Sequence, residues 1–204
     1  IYNSARAAQA TGETEKARQL FLEVLTDRDA LPASRGGASR ELAYIYRGLG
    51  NEDEAGKVAA TGEQIADWSG QTALKDDLTF FRAEGAYSQK KFEETLAGMS
   101  RMTESGYRVN RLTGLAHLES ARYSKAAEFL ERAALSAPDQ ESRNACYFDL
   151  ARNSVKAAEY DNTLMNLNRI KDPSPALDAK IRPLRADVLY QTGQFKKAAE
   201  EYGR

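Results

Sequence analysis

The 204-residue chain contains very little cysteine and histidine, with one residue of each. A single Cys excludes an internal disulfide framework, and one Cys with one His cannot build a Cys/His zinc site. Five prolines and 14 glycines are too few for a loop-rich all-β chain. The lack of a disulfide framework fits the cytoplasm and the periplasm equally well, so the composition leaves the compartment open.

The chain also has no marked excess of positive or negative charge and no long apolar runs. The 29 basic residues nearly cancel the 30 acidic ones, which excludes the basic field of a nucleic-acid or anionic-membrane binder. Apolar stretches are short and interrupted by charge, so neither a transmembrane helix nor a signal peptide is expected within the sequence. Hydrophobic residues still make up 42% of the chain, which is enough to bury a core.

One pattern recurs six times along the chain: an apolar helical stretch, a short break and a second helical stretch. The breaks lie around Gly12, Gly50, Lys90, Ala121, Ala158 and Gly193. In the clearest second stretches, an Ala is followed four positions later by a large residue, which places both on one helix face. These pairs are Ala17 and Phe21, Ala126 and Leu130, and Ala198 and Tyr202. The small residue lets two helices approach, and the large residue fills the space beside it.

These residues resemble the tetratricopeptide repeat (TPR), a helix-turn-helix unit of about 34 residues. The fourth unit matches best, with Gly114 at the close-packing point of its first helix and Ala126, Ala133 and Pro138 after it. At the place of Gly114 the other units carry Ala5, Ala43, Ala83, Ala151 and Ala186. The resemblance implies an all-α fold, an α-α superhelix (right-handed solenoid) of about six repeats. A compact helical bundle is the alternative.

The pattern predicts twelve helices in six antiparallel pairs. The repeats are expected at about 1–34, 35–70, 71–106, 107–138, 139–175 and 176–204. The last repeat is incomplete, so we expect the chain to be a piece of a longer array in a bacterial protein. Loops are expected at 27–37 and 68–72, and helix N-caps at Ser39, Thr72 and Asp139. Pro183 is placed in the first turn of its helix, where its missing N–H costs nothing.

The sequence offers little for catalysis, because it has no phosphate loop, zinc-protease motif or nucleophile elbow. His117 falls where the repeat family has a packing residue, and Cys146 lies in an apolar run, so buried roles are favoured for both. Adjacent acidic residues point about 100° apart on a helix, so they are interpreted as solvated surface. These pairs are Asp76–Asp77, Glu93–Glu94 and Glu200–Glu201. We therefore predict no enzyme, metal or cofactor; an active site using Glu84, Asp187 or His117 is the less favoured alternative.

In the TPR family, the first helix of each pair lines a concave wall that binds partners. Aligning the repeats predicts a partner-binding set of Arg40, Tyr44, Arg47, Phe80, Glu84, Tyr87, Arg108, Arg111, Phe148, Arg152 and Tyr190. Arg and Tyr dominate binding hot spots, and the positive lean of the set favours an acidic partner. Ordinary solvated or packing roles are the alternative. The Lys and Asn pattern that clamps acidic chaperone tails is not met, so that activity is not expected.

The leading hypothesis is a non-catalytic scaffold that binds a protein or peptide in the concave groove and supports complex assembly. The abundance of Ala and Arg and the divergent repeats also resemble periplasmic scaffolds of bacterial envelope or exopolysaccharide export systems. An accessory domain of an enzyme is the second alternative. Apolar end faces around 1–2 and 195–202 also favour end-to-end self-association.

Overall fold

A computed structural model describes residues 1–203, and within that range every regular element is an α-helix. The chain divides into unit 1 (Ile1–Glu104) and unit 2 (Ser105–Arg204). Each unit contains three helix pairs, and we call the first helix of a pair the A helix and the second the B helix. The prediction of twelve helices in six TPR-like pairs, without a strand, is confirmed for the described residues.

The helices of each unit follow one another in A–B order. In unit 1 they are α1 Tyr2–Ala10, α2 Thr14–Thr26, α3 Pro32–Gly48, α4 Glu52–Trp68, α5 Thr72–Ser88 and α6 Phe92–Met99. In unit 2 they are α7 Tyr107–Glu119, α8 Tyr123–Leu135, α9 Gln140–Lys156, α10 Tyr160–Asn168, α11 Pro175–Gln191 and α12 Phe195–Tyr202. Within a unit, each later A helix packs on its own B helix and on the preceding B helix.

The repeat landmarks are the contact points between A and B helices. The five Ala residues that occupy the position of Gly114 are at most 3% exposed. Gly114 is buried as well, and a Cβ there would lie 2.7 Å from Cγ of Leu130. On the B helices, Phe21 and Leu130 are fully buried, as their spacing predicts. Tyr202 is the exception, because it is exposed and its hydroxyl donates to Asp187.

The six turns inside the helix pairs share one backbone geometry. One residue in each turn has a φ between 56° and 79°, namely Gly12, Gly50, Lys90, Ala121, Ala158 and Gly193. The next residue then donates its N–H five positions back, as Arg122 does to the His117 carbonyl at 2.9 Å. This is the 6→1 hydrogen bond of a Schellman ending, and it depends on the left-handed residue. The breaks in the sequence pattern therefore mark the left-handed turns.

Replacing Ala121 by glycine is expected to stabilise unit 2 by about 0.5–1 kcal/mol. Left-handed backbone costs an L-residue about 1–2 kcal/mol, and the extra freedom of glycine in the unfolded chain offsets part of that gain. Ala121 is exposed, so the change removes no core packing. Urea denaturation measures the effect, and Ala179→Gly on the exposed side of α11 is the matched control, expected to destabilise. A lower stability of Ala121→Gly would contradict this account of the turn.

The predicted loop at 27–37 is wrong in its second half, because α3 begins at Pro32. Gly36 and Gly37 are helical and buried, despite the low helix propensity of glycine. A Cβ at Gly36 would lie 2.6 Å from Cδ2 of Leu74, and one at Gly37 would lie 2.5 Å from the Tyr2 hydroxyl oxygen. The two glycines therefore serve close packing rather than a turn.

Three helix N-caps were predicted, and one is confirmed. Asp139 caps α9, where its carboxylate accepts a hydrogen bond from the Ser142 N–H at 2.7 Å. Ser39 is instead a buried residue in the middle of α3. Helix α5 begins at Thr72, but its N-cap residue is Gln71. The prediction for Pro183 is also wrong: it lies inside α11, whose first turn carries a different proline. The local preferences of single residues therefore identified one of the three caps and misplaced Pro183.

Candidate functional site

In unit 1, the predicted partner-binding residues of α3 and α5 form a layer in which Arg47 is held from four sides. Its guanidinium stacks on Phe81, 3.4 Å from the ring centroid, and donates to the Phe81 carbonyl oxygen at 2.7 Å. It also pairs with Glu52 at 3.1 Å and with Glu84 at 3.7 Å. Arg47 therefore ties α3 to α5 and to the start of α4.

Tyr44 and Arg40 lie one and two turns before Arg47 along α3. Arg40 pairs with Glu41 at 2.8 Å and lies 4.0 Å from Asp77 on the next A helix. The hydrogen bond to Glu41 raises the pKa of Arg40, which keeps its guanidinium charged. The Tyr44 ring stands edge-on to Phe81 at 4.9 Å and remains 45% exposed. The layer thus presents an exposed aromatic ring between two fixed arginines, and we call Arg40, Tyr44 and Arg47 the Tyr44 platform.

The other predicted residues of unit 1 differ in their accessibility. Glu84 is exposed, whereas Tyr87 is half-buried, with its ring 5.7 Å from that of Phe92. Phe80 is only 5% exposed and belongs to the core. A partner cannot reach Phe80 without moving α5, so this residue has no place on a binding surface in the described conformation.

In unit 2, the predicted residues of α7 and α9 meet around a buried carboxylate. Asp149 is 4% exposed, accepts from Arg111 at 2.9 Å and lies 3.5 Å from Arg152. Burial raises the pKa of the Asp149 carboxyl, and the charge of Arg111 opposes that rise. Glu119 on α7 pairs with Arg152 at 3.2 Å and with Lys156 at 3.1 Å. These five side chains link two successive A helices.

The remaining predicted residues of unit 2 are spread over three helices. Arg108 is exposed near the start of α7. Phe148 is half-buried and packs against the cluster of Ala151, Leu167 and Ile181. Tyr190 is 56% exposed on α11, and its ring lies 5.2 Å edge-on from that of Phe195. Of these three predicted residues, Arg108 and Tyr190 are exposed enough to contact a partner.

The ion pairs change the charge expected for the predicted surface. In unit 1, the two arginines of the Tyr44 platform face four carboxylates, those of Glu41, Glu52, Asp77 and Glu84. In unit 2, three basic side chains face the carboxylates of Asp149 and Glu119. The excess of positive charge predicted from the sequence is therefore found around Asp149. Around the Tyr44 platform, carboxylates outnumber arginines instead.

His117, Cys146 and Asp76, which the sequence analysis considered for chemistry, are all buried. His117 is 7% exposed and stacks on Phe129 at 5.6 Å, and Cys146 is fully buried, as predicted. Burial raises the pKa of the Cys146 thiol to about 12, so it stays protonated at neutral pH. Asp76 is not solvated surface, because it is buried and accepts hydrogen bonds from the N–H and hydroxyl of Thr103.

Residues 1–203 contain neither a candidate metal cluster nor a candidate membrane-spanning helix. No three His, Cys, Asp or Glu side chains in this range are placed to hold an ion. No helix of the range combines the length and apolar character needed to cross a bilayer.

The sequence alone did not identify the residues that hold the predicted arginines in place, chiefly Phe81, Asp149 and Glu119. The Arg111–Asp149 and Lys156–Glu119 pairs span 38 and 37 residues, close to the length of one repeat. Opposite charges one repeat apart are therefore the signal that could have found these pairs.

Comparison with known proteins supports the repeat fold. No protein-family model and no curated protein matches the chain. Among solved structures, BtubC (BKLC) from P. vanneervenii aligns with a TM-score of 0.67 and 19% identity, over 87% of this chain and 78% of that one. A Podosopora anserina putative kinesin light chain with nearly identical TPR-like repeats aligns with a TM-score of 0.62 and 19% identity, over 88% and 93%. At this identity, the likeness shows that the chain has a TPR-like helical repeat fold.

Proposed function

We propose that the chain is a non-catalytic interaction scaffold that binds a protein or peptide partner on the exposed side of its A helices. TPR-like repeats generally serve as protein-interaction scaffolds. The observation that carries the proposal is the Tyr44 platform, in which an exposed aromatic ring is held between immobilised arginines. Fixed side chains lose little entropy on binding, so such a surface binds more tightly than a mobile one.

Tyr44 is the proposed anchor of the platform. Its ring rests on the buried ring of Phe81, so the exposed part is held in one orientation. The guanidinium groups of Arg40 and Arg47 provide hydrogen-bond donors near the ring, although each guanidinium also pairs with carboxylates. We infer that the platform binds an aromatic or aliphatic side chain with polar groups beside it, rather than a strongly acidic segment.

The surface around Asp149 is proposed to bind the acidic part of a partner. Arg152 and Lys156 are 38% and 42% exposed there, and the local excess of basic side chains attracts a carboxylate. Binding at this surface should weaken as salt concentration rises, because partly exposed charges are screened.

Affinity capture from the source organism tests the proposal. Tyr44→Ala is expected to reduce partner recovery about tenfold, since truncating an aromatic anchor costs about 1.4 kcal/mol or more. Leu22→Ala, which removes an exposed apolar side chain from B helix α2, is the matched control and should leave recovery unchanged. Circular dichroism checks that both variants are folded. Equal recovery with Tyr44→Ala and the unmodified chain would overturn the assignment of the platform.

A further inference from the structure

Unit 1 has a groove that lies between two B helices, and of the Tyr44 platform only Arg47 lines it. A cavity of about 550 Å³ opens between α4 and α6, with α5 as its floor. Small residues line it, including Gly56, Ala83, Ala86, Ala97 and Gly98. A second cavity of about 550 Å³ adjoins it, and both are lined by Arg82 and Arg101. We call the two cavities together the α4–α6 groove.

A charged triad stands where the two cavities meet. The Glu63 side chain is 10% exposed and pairs with Arg82 at 2.5 Å and with Arg101 at 3.5 Å. Both arginines contact Glu63 through Nη1, which leaves the donors on Nε and Nη2 of each guanidinium for another acceptor. One buried carboxylate therefore orients two guanidinium groups without using all of their hydrogen-bonding capacity.

The charge balance of the triad favours an anion. Two positive charges share one negative charge, and the Arg101 side chain is 55% exposed where it lines both cavities. Nearby Lys75 is paired with Asp67 at 2.6 Å and adds no net charge. The other charged residues that line the first cavity are Arg47, Lys91, Glu52, Asp53 and Glu94, so the excess of positive charge is confined to the triad.

We propose that the α4–α6 groove binds an acidic peptide segment, with one Glu or Asp carboxylate accepting hydrogen bonds from Arg82 and Arg101. The two adjoining cavities suit an extended chain rather than a single small ion. The small side chains along the walls and floor let a peptide backbone approach closely. Guanidinium groups form forked, charge-assisted hydrogen bonds with carboxylates, which fits them for this contact.

This second interface goes beyond the proposed function of the Tyr44 platform and shares only Arg47 with it. On α5, the groove-lining residues Thr79, Arg82 and Ala86 share one face by their spacing. The platform side of α5 carries Asp77 and Glu84, which fall on a different face by the same spacing. A scaffold with both surfaces holds two segments at once, one on each side of unit 1.

The test uses the peptide Ac-Ala-Glu-Ala-Glu-Ala-NH2, its Gln counterpart and inorganic phosphate as probes. Titration of the full chain is followed by amide chemical shifts in α5 and α6. Arg101→Ala is expected to weaken binding of the Glu peptide about fivefold or more, since one charge-assisted contact is lost. Glu63→Gln is expected to strengthen it, because it removes the competing negative charge while keeping the side-chain shape. Lys57→Ala changes charge equally on α4 outside the groove and should have no effect.

Each outcome decides the proposal. Opposite effects of Arg101→Ala and Glu63→Gln, with no shift for the Gln peptide, would support it. Shifts with phosphate but not with the Glu peptide would overturn it in favour of a small-anion site. No shift with any probe would overturn it entirely. Tyr44→Ala must leave the Glu-peptide affinity unchanged; if it does not, the peptide binds elsewhere, whatever the fate of the platform.

Discussion

Gly114→Val is expected to lower the free energy of unfolding of unit 2 by about 3 kcal/mol. Even a single Cβ at Gly114 would lie 2.7 Å and 2.9 Å from Cγ and Cδ2 of Leu130, and 3.1 Å from its backbone nitrogen. The backbone of α8 would have to move away from α7, and overpacking of this kind costs about 1–3 kcal/mol or more. Because the obstacle includes backbone, a change of side-chain rotamer cannot relieve it.

Gly56→Ala is the matched control for this prediction. Gly56 also lies inside a helix, but none of the described atoms outside its own helix comes within 4 Å of the position of its added Cβ. Alanine there should stabilise unit 1 by about 0.5–1 kcal/mol through helix propensity alone. Urea denaturation with amide hydrogen exchange assigns each change to its unit. A loss below about 1 kcal/mol for Gly114→Val would contradict close packing as the reason for this glycine.

Phe81→Ala is expected to destabilise unit 1 by about 3–5 kcal/mol, the usual cost of removing a fully buried aromatic ring. Phe81 is 1% exposed, and its ring supports both Tyr44 and the guanidinium of Arg47. The variant should therefore also loosen the Tyr44 platform, which hydrogen exchange along α3 and α5 measures.

Phe81→Leu separates the two effects of that change. Leucine keeps most of the buried volume, so the loss of stability should stay below about 1.5 kcal/mol. It removes the aromatic ring, so Arg47 loses its stacking partner and Tyr44 its edge-on contact. If Phe81→Leu kept full partner recovery in the capture experiment, the ring would not be what organises the platform.

The sequence predicted the fold through its small residues. Ala or Gly at one position of each A helix, and the left-handed residue in each turn, mark contacts that repeat with the helix pair and are therefore visible locally. Gly36 and Gly37 were misassigned because the same residue type serves both turns and close packing. Only the neighbouring side chains of Leu74 and Tyr2 distinguish the two uses.

The candidate site was predicted only in outline. The A-helix alignment selected Arg40, Tyr44 and Arg47, which do lie along one side of α3. It did not reveal the carboxylates opposite them, because ion pairing depends on the offset between successive A helices. The alignment also placed Phe80 on the surface, because helical spacing alone does not determine which of two adjacent aromatic residues is buried. In the structure, both Phe80 and Phe81 are buried. The α4–α6 groove was not predicted, because the alignment considered only the A helices.

Site-specific photo-crosslinking at position 44 tests the central claim most directly, because it reads contact rather than affinity. The photoreactive residue p-benzoylphenylalanine replaces Tyr44 in one sample and Leu22 in the other, both exposed in unit 1. The Tyr44 platform predicts a crosslinked partner at position 44 that is absent at position 22. Crosslinking of the same partner at 22 and not at 44 would contradict the account and move the interface to the B helices.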